Sequence, residues 1–194
     1  MTPVISEKSF EDAIECAILA GGEDECPDGP SAIHEAKPSY GEGSPGGYHR
    51  RLPEDYDRHL CLIPQDLLDF ILATQPKEWT RYQEHFGSDS KEKLASRISK
   101  EIEKRGALDV LRRGVKDHGC KFELAFFRPS SGLNEELRSL YQGNLFSVVR
   151  QLRYSEKNEN SLDLTLFLNG IPLFTAELKT AFTGQNVEGA VKQY

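Results

Sequence analysis

Apolar positions along the chain change their period once. Up to about residue 113 they recur at helical spacing, and from Lys121 they alternate. Phe10, Ile14, Ala17 and Ile18 fall on one helical stripe, which predicts a helix over roughly 7–20 with Ser6 as its N-cap. Residues 21–50 are rich in Gly, Pro, Ser and acids and predict a long loop or insertion. Helical spacing returns over 63–105, where Pro64 suits a first turn, a second piece holds Trp79 and Tyr82, and a third covers 90–105. Ala107 to Arg113 make a short fourth helix, ended by Gly114. Phe122, Leu124 and Phe126 then alternate with Lys121, Glu123 and Ala125, as in a strand. Asn134 caps a helix to about Tyr141. Three apolar runs follow, Leu145 to Tyr154, Ser161 to Leu168 and Ile171 to Lys179, the last two joined as a hairpin at Asn169-Gly170. Val187 to Tyr194 reads as a helix without a stop signal, so the chain is expected to continue. The pattern as a whole predicts an α/β fold in a single domain, 1–194. Its mixed central sheet has three core strands, 145–154, 160–168 and 171–179, flanked by the first and last helices, with 63–113 as a helical appendage.

The hairpin carries the chemistry. On its first strand four leucines share one face, and Asp163, Thr165 and Phe167 share the other. On its second, Glu177 and Lys179 share a face opposite Phe174, Ala176 and Leu178. An acid on one strand, and an acid two residues before a lysine on the next, form the D…ExK arrangement of metal-dependent nucleases. Hydrolysis of a phosphodiester calls for a cation that polarises the phosphoryl group and lowers the pKa of a bound water. Magnesium takes carboxylate oxygens and keeps several waters. Asp163 and Glu177 are the candidate ligands, the Leu178 carbonyl completes the shell, and Lys179 orients the water and offsets charge growing on phosphorus.

Register tests this assignment. A strict two-residue loop at Asn169-Gly170 pairs Asp163 with Ala176 and turns Glu177 to the wrong face. A three-residue loop, Leu168-Asn169-Gly170, with Gly170 left-handed beside a bulge, pairs Asp163 with Thr175 and returns Glu177 to the face of Asp163. The nuclease reading therefore requires an odd loop or a bulge. Spacing alone is weak, because D-x13-ExK recurs by chance and ordinary solvated charges on a surface hairpin also account for it. The apolar residues that bury the opposite face shift the balance toward a site within a sheet.

Charge is uneven. The net charge is −7, yet residues 1–60 hold 13 acids and 5 bases, while 61–194 hold 18 acids and 19 bases. There is no dense basic stripe, so any duplex binding by this chain alone is expected to be weak. Arg150, Gln151 and Arg153 on a predicted strand are candidate DNA contacts, as are Arg112 and Arg113, although single basic residues are more often simply solvated. The four cysteines, at 16, 26, 61 and 120, form no short ligand pattern and are expected to be reduced thiols. No apolar run approaches a membrane span, the first residues lack a signal-peptide pattern, and a cytoplasmic address follows. No GxxxxGK[ST] is present, so no ATP hydrolysis is expected of these residues.

The chain resembles the N-terminal region of type I restriction endonuclease R subunits. The carrying segments are SEKSFEDAI at 6–14, YDRHLCLIP at 56–64, RGALDVLRRGVKDHGCKFELAFFRP at 105–129, SGLNEEL at 131–137 and the whole of 150–194. The resemblance implies a restriction-endonuclease-like fold and a magnesium-dependent PD-(D/E)xK nuclease in which Asp163, Glu177 and Lys179 bind metal and cut double-stranded DNA. It implies an acid on the first helix near the metal, with Glu11 the choice and Glu7 the rival. It also implies a type I site-specific deoxyribonuclease whose ATP-driven motor lies beyond Tyr194 and whose partners are modification and specificity subunits. Many members carry a Gln-x3-Tyr motif after the ExK strand. Tyr194 fits the tyrosine, Ala190 stands in place of the glutamine, and Gln193 is adjacent. The alternatives are a non-catalytic docking module that keeps the nuclease fold and a nuclease of DNA repair or recombination.

Overall fold

The computed structural model describes residues 7–19, 47–130 and 133–178. In chain order the elements are α1 (Glu7–Leu19), β1 (Tyr48–Arg51), α2 (Pro64–Thr74), α3 (Pro76–Phe86), α4 (Ser90–Arg105), α5 (Ala107–Arg113), β2 (Val115–Asp117), β3 (Cys120–Phe122), α6 (Glu135–Gln142), β4 (Phe146–Arg153), β5 (Ser161–Leu168) and β6 (Ile171–Ala176). The fold is mixed α/β, with a four-stranded mixed sheet flanked by helices, consistent with a restriction-endonuclease-like architecture. Its strand order is β1-β4-β5-β6, with β1 parallel to β4 and the other pairs antiparallel.

Local chemistry explains most element ends. Pro64 and Pro76 sit in the first turns of α2 and α3, where the missing N–H costs nothing. The Asn134 side chain accepts a bond from Leu137 N at 3.0 Å and caps α6. Gly114, at φ +67°, ends α5, and a Cβ there would lie 2.3 Å from Phe122 O.

Expectations for three of these elements need correction. Residues 48–50, read as loop, belong to β1, which adds a fourth strand to the sheet. Its sequence, YHRR, has no apolar alternation to announce it, and its partner β4 lies far along the chain. The strand expected over 121–126 is confined to Cys120–Phe122, where it pairs with β2 in a separate two-stranded sheet. On α1, Phe10 and Ala17 are exposed, Ile14 and Ile18 are half-buried, and the buried positions are Glu11 and Glu15. Ion pairs to the sheet, described below, turn the acidic stripe inward instead of the apolar one. Residues 20–46, the predicted helix 187–194 and Ser6 lie outside the described residues.

Two buried apolar clusters hold the elements. The larger joins α2–α5 to the β2–β3 hairpin through Leu67, Phe70, Tyr82, Ile98, Val110 and Phe122, and reaches the sheet at Ile171. The smaller packs Tyr56 and Ile63 on Val149, Leu152 and Phe167. Adjacent residues Leu62 and Ile63 enter different clusters, so one extended step ties helices to sheet. Asp66, fully buried on α2, accepts from Arg51 Nε at 2.8 Å and from the Ser147 hydroxyl, binding α2 to β1 and β4.

The β5–β6 turn is two residues long, with Asn169 at φ +52° and Gly170 at φ +78°. Asn169 is fully buried; its Oδ1 accepts from Leu145 N at 2.7 Å and its Nδ2 donates to Leu124 O at 2.9 Å. A Cβ on Gly170 would lie 2.3 Å from Ile63 O, so the turn demands glycine for contact as well as conformation. Pairing runs Leu168↔Ile171 and Phe167↔Pro172, slips between Phe167 and Leu166, and resumes Leu166↔Phe174 and Leu164↔Ala176. The extra residue is Leu173, just after a proline tolerated on an edge strand. The bulge that the register argument required is thus present within β6, whereas the expected three-residue loop is not. Continued by one step, the register sets Asp163 opposite Glu177 rather than opposing Asp163 with Thr175.

Among the described residues, Cys61 and Cys120 are free thiols. Cys16 is disulfide-bonded, contrary to the expectation of reduced thiols throughout. No described helix is long and apolar enough to cross a membrane.

Candidate active site

Asp163 sits on β5 beside the end of β6. Its Oδ2 accepts from Leu178 N at 2.7 Å, which draws the chain after β6 against β5. Its Oδ1 accepts from Gln151 Nε2 at 3.2 Å. The same Gln151 nitrogen donates to Glu11 Oε1 at 3.1 Å. The fold therefore brings Glu11 of α1 and Asp163 of β5 onto one donor from β4. Glu11 is 7% exposed, so it is not a solvated helix acid. Glu177 follows Ala176 at the end of β6, is half-buried and is engaged in an interaction of its own. Lys179 and Tyr194, with Gln193 and Ala190, lie outside the described residues, as does the side chain of Glu7.

Arg150 pairs with three acids of α1. Its Nη2 donates to Glu11 Oε2 at 2.9 Å, its Nη1 donates to Glu15 Oε2 at 3.0 Å, and Nη1 also pairs with Asp12. Burial works against the Arg150 charge, but the bonds to Glu11, Asp12 and Glu15 outweigh it and hold the pKa above the ordinary arginine value. Arg50 adds a contact to Glu15 at 2.7 Å. Arg150, a candidate DNA contact from sequence, thus spends its guanidinium on α1. Arg153 pairs with Glu159 at 2.9 Å, Arg113 pairs with Asp109 at 3.0 Å, and Arg112 is exposed in the last turn of α5.

Sequence reasoning missed Glu15 and Arg50. The available signal was the i,i+4 spacing of Glu11 and Glu15, which puts two acids on one helix face. The apolar stripe of the same helix, Phe10, Ile14, Ala17 and Ile18, competes with it as a sequence signal for the buried face.

Among the described residues, no group of three or more His, Cys, Asp or Glu side chains forms a metal cage. The donor chemistry nonetheless suits magnesium. That ion takes one or two carboxylates and keeps its remaining positions for water and phosphate oxygen. Glu11 and Asp163 offer carboxylate oxygens around a single hydrogen-bond donor, with no thiolate or imidazole among these partners.

A model of the family described as type I restriction enzyme R protein N terminus matches residues 71–194. No curated protein and no solved structure matches the chain.

Proposed function

The chain belongs to the family of type I restriction enzyme R protein N termini, and from that premise we propose that it is the DNA-cutting module of such an R subunit. In this reading it hydrolyses phosphodiesters of double-stranded DNA as a magnesium-dependent PD-(D/E)xK nuclease, in the cytoplasm where DNA and ATP are at hand. An ATP-driven motor elsewhere in the subunit moves the DNA, and modification and specificity subunits choose where the complex binds. The observation that carries the reading is the convergence of Glu11 and Asp163 on Gln151 Nε2, next to the register that sets Glu177 opposite Asp163.

Each residue then has a task. Asp163 and Glu177 hold the ion, with Glu11 and the Leu178 carbonyl as further oxygen donors. A magnesium ion held there would supply a bound water of lowered pKa and a Lewis acid for the phosphoryl oxygen. Lys179, two residues after Glu177, orients the water and offsets charge on the phosphorane. Arg150 keeps Glu11 directed at the site by holding its other oxygen. The Leu178 N–H keeps Asp163 from turning away.

The test uses the assembled restriction complex. Asp163→Ala, Glu177→Ala and Lys179→Ala should each lower the cleavage rate by at least about a hundredfold. ATP-driven translocation, followed by triplex displacement, should be largely unchanged. Normal cleavage by a variant would remove that residue from the site. Loss of translocation along with cleavage would mark a structural role, and normal cleavage by all three would leave the chain as a docking module.

A further inference from the structure

Arg150 and Gln151 are consecutive in β4, and consecutive side chains of a strand point to opposite faces. Both nevertheless bond the same carboxylate: Arg150 Nη2 meets Glu11 Oε2 at 2.9 Å, and Gln151 Nε2 meets Glu11 Oε1 at 3.1 Å. The backbone explains how. Gln151 has φ +49°, in the left-handed region that residues with a Cβ avoid. The β4–β5 ladder runs through Arg150↔Leu164 and resumes at Leu152↔Leu162, so the distortion is confined to one residue. Strain of this kind persists where surrounding structure enforces it, and it gathers at functional sites.

The distortion produces a specific set of hydrogen bonds. Each carboxylate has one oxygen anchored and one offered. Glu11 Oε2 is anchored by Arg150, and Asp163 Oδ2 by Leu178 N. The offered oxygens, Glu11 Oε1 and Asp163 Oδ1, meet at Gln151 Nε2. Gln151 Oε1 accepts from the Ser161 hydroxyl at 3.1 Å. Two carboxylates accept only, so the amide must present its NH2 to them and its oxygen to Ser161. A neutral amide donor thus bridges two anions that would otherwise repel, at the point where a cation shared by them would lie. Gln151 itself is exposed, so its side chain has room to swing out when an ion arrives.

We propose that Gln151 is a placeholder and positioning residue: it holds the offered oxygens of Glu11 and Asp163 together while the site is ion-free and yields its place to the divalent cation. The inference rests on the metal-site reading given above. It predicts a competition: the two bonds to Glu11 and Asp163 hold only the ion-free state and must break when the ion enters, so removing the donor raises metal affinity.

The chain is titrated with Mn2+ by calorimetry, and its melting is followed with and without Mn2+. Gln151→Met keeps the length of the side chain and removes the donor. It should stay folded by circular dichroism and bind Mn2+ about tenfold more tightly than wild type. Gln151→Glu adds a third carboxylate at the same point. It should melt earlier than wild type without metal, yet show a larger Mn2+-induced rise in Tm, a combination that a purely structural role would not give. If Gln151→Met binds Mn2+ no more tightly than wild type while Asp163→Ala binds none, the placeholder role is overturned and the metal site stands. A smaller Mn2+-induced rise in Gln151→Glu than in wild type also overturns it. If wild type binds no Mn2+, the metal-site reading itself falls, and this inference with it.

Discussion

Glu11, Glu15, Asp66 and Asn169 are polar and buried, and each holds together parts of the chain that are distant in sequence. A buried polar group is tolerated only when its partners are supplied, so these residues carry more positional information than a core leucine does. Asn169 is the clearest case. Its side chain satisfies Leu145 N and Leu124 O and also donates to Asn144 Oδ1 at 3.0 Å. Asn169→Ala should destabilise the chain by about 2–4 kcal/mol, because the Leu145 N–H loses its acceptor and a left-handed alanine replaces a left-handed asparagine. Chemical denaturation followed by circular dichroism measures this, and a loss under about 0.5 kcal/mol, the scale of ordinary surface substitutions, would contradict it. At this scale the sequence was partly readable. Asp163 and Glu177 stood out as charges on otherwise apolar strands. The role of Gln151 did not, because its left-handed φ comes from tertiary contacts and glutamine carries no preference for that conformation.

The β5–β6 hairpin shows what an element can and cannot announce. Asn169-Gly170 between apolar runs specifies a turn with both central residues left-handed, and the structure has it. The need for an odd residue followed from counting the positions between Asp163 and Glu177. Its place did not, because a bulge is fixed by local packing, here beside Pro172 on the sheet edge. β1 was invisible for a different reason: it is a short polar strand whose parallel partner is supplied by the far end of the chain. The bulge leads to a paired prediction. Deleting Leu173 removes the extra residue and leaves Leu164↔Ala176 in register, so Asp163 still faces Glu177 and Mn2+ binding should persist. Inserting one alanine after Leu173 requires a second bulge or moves Glu177 to the other face. Mn2+ affinity should then fall below detection in calorimetry while circular dichroism still shows a folded chain. Equal Mn2+ binding by the insertion variant would separate Glu177 from the metal site.

At the scale of the whole molecule, charge decides what the proposed function requires of this domain. The net charge is −7. The structure adds that arginines of the sheet are already committed: Arg50 to Glu15, Arg51 to Asp66, Arg150 to three acids of α1, and Arg153 to Glu159. An arginine held by carboxylates inside the protein releases no counterion from a phosphate unless those pairs first break. Affinity for a duplex rises with the number of phosphates neutralised, by a slope of about 0.9 per contact in log K against log salt. With these arginines of the sheet held and no dense basic stripe, the slope should be shallow, about 3 or less, and the dissociation constant no better than the roughly 10⁻⁴–10⁻⁶ M of non-specific binding at physiological salt. In the proposed assembly the shortfall is supplied by linkage, since a motor and partner subunits that already hold the duplex present it at high effective concentration. The 194-residue chain should therefore cut plasmid DNA slowly or not at all in Mg2+, whereas the same domain within the proposed assembly should cut efficiently. Fluorescence anisotropy with a labelled duplex over a salt series, together with a plasmid-nicking assay, measures both quantities. Nanomolar binding with a steep salt slope, or rapid cutting by the chain alone, would show that it reaches DNA through a surface of its own and needs no linked motor to do so.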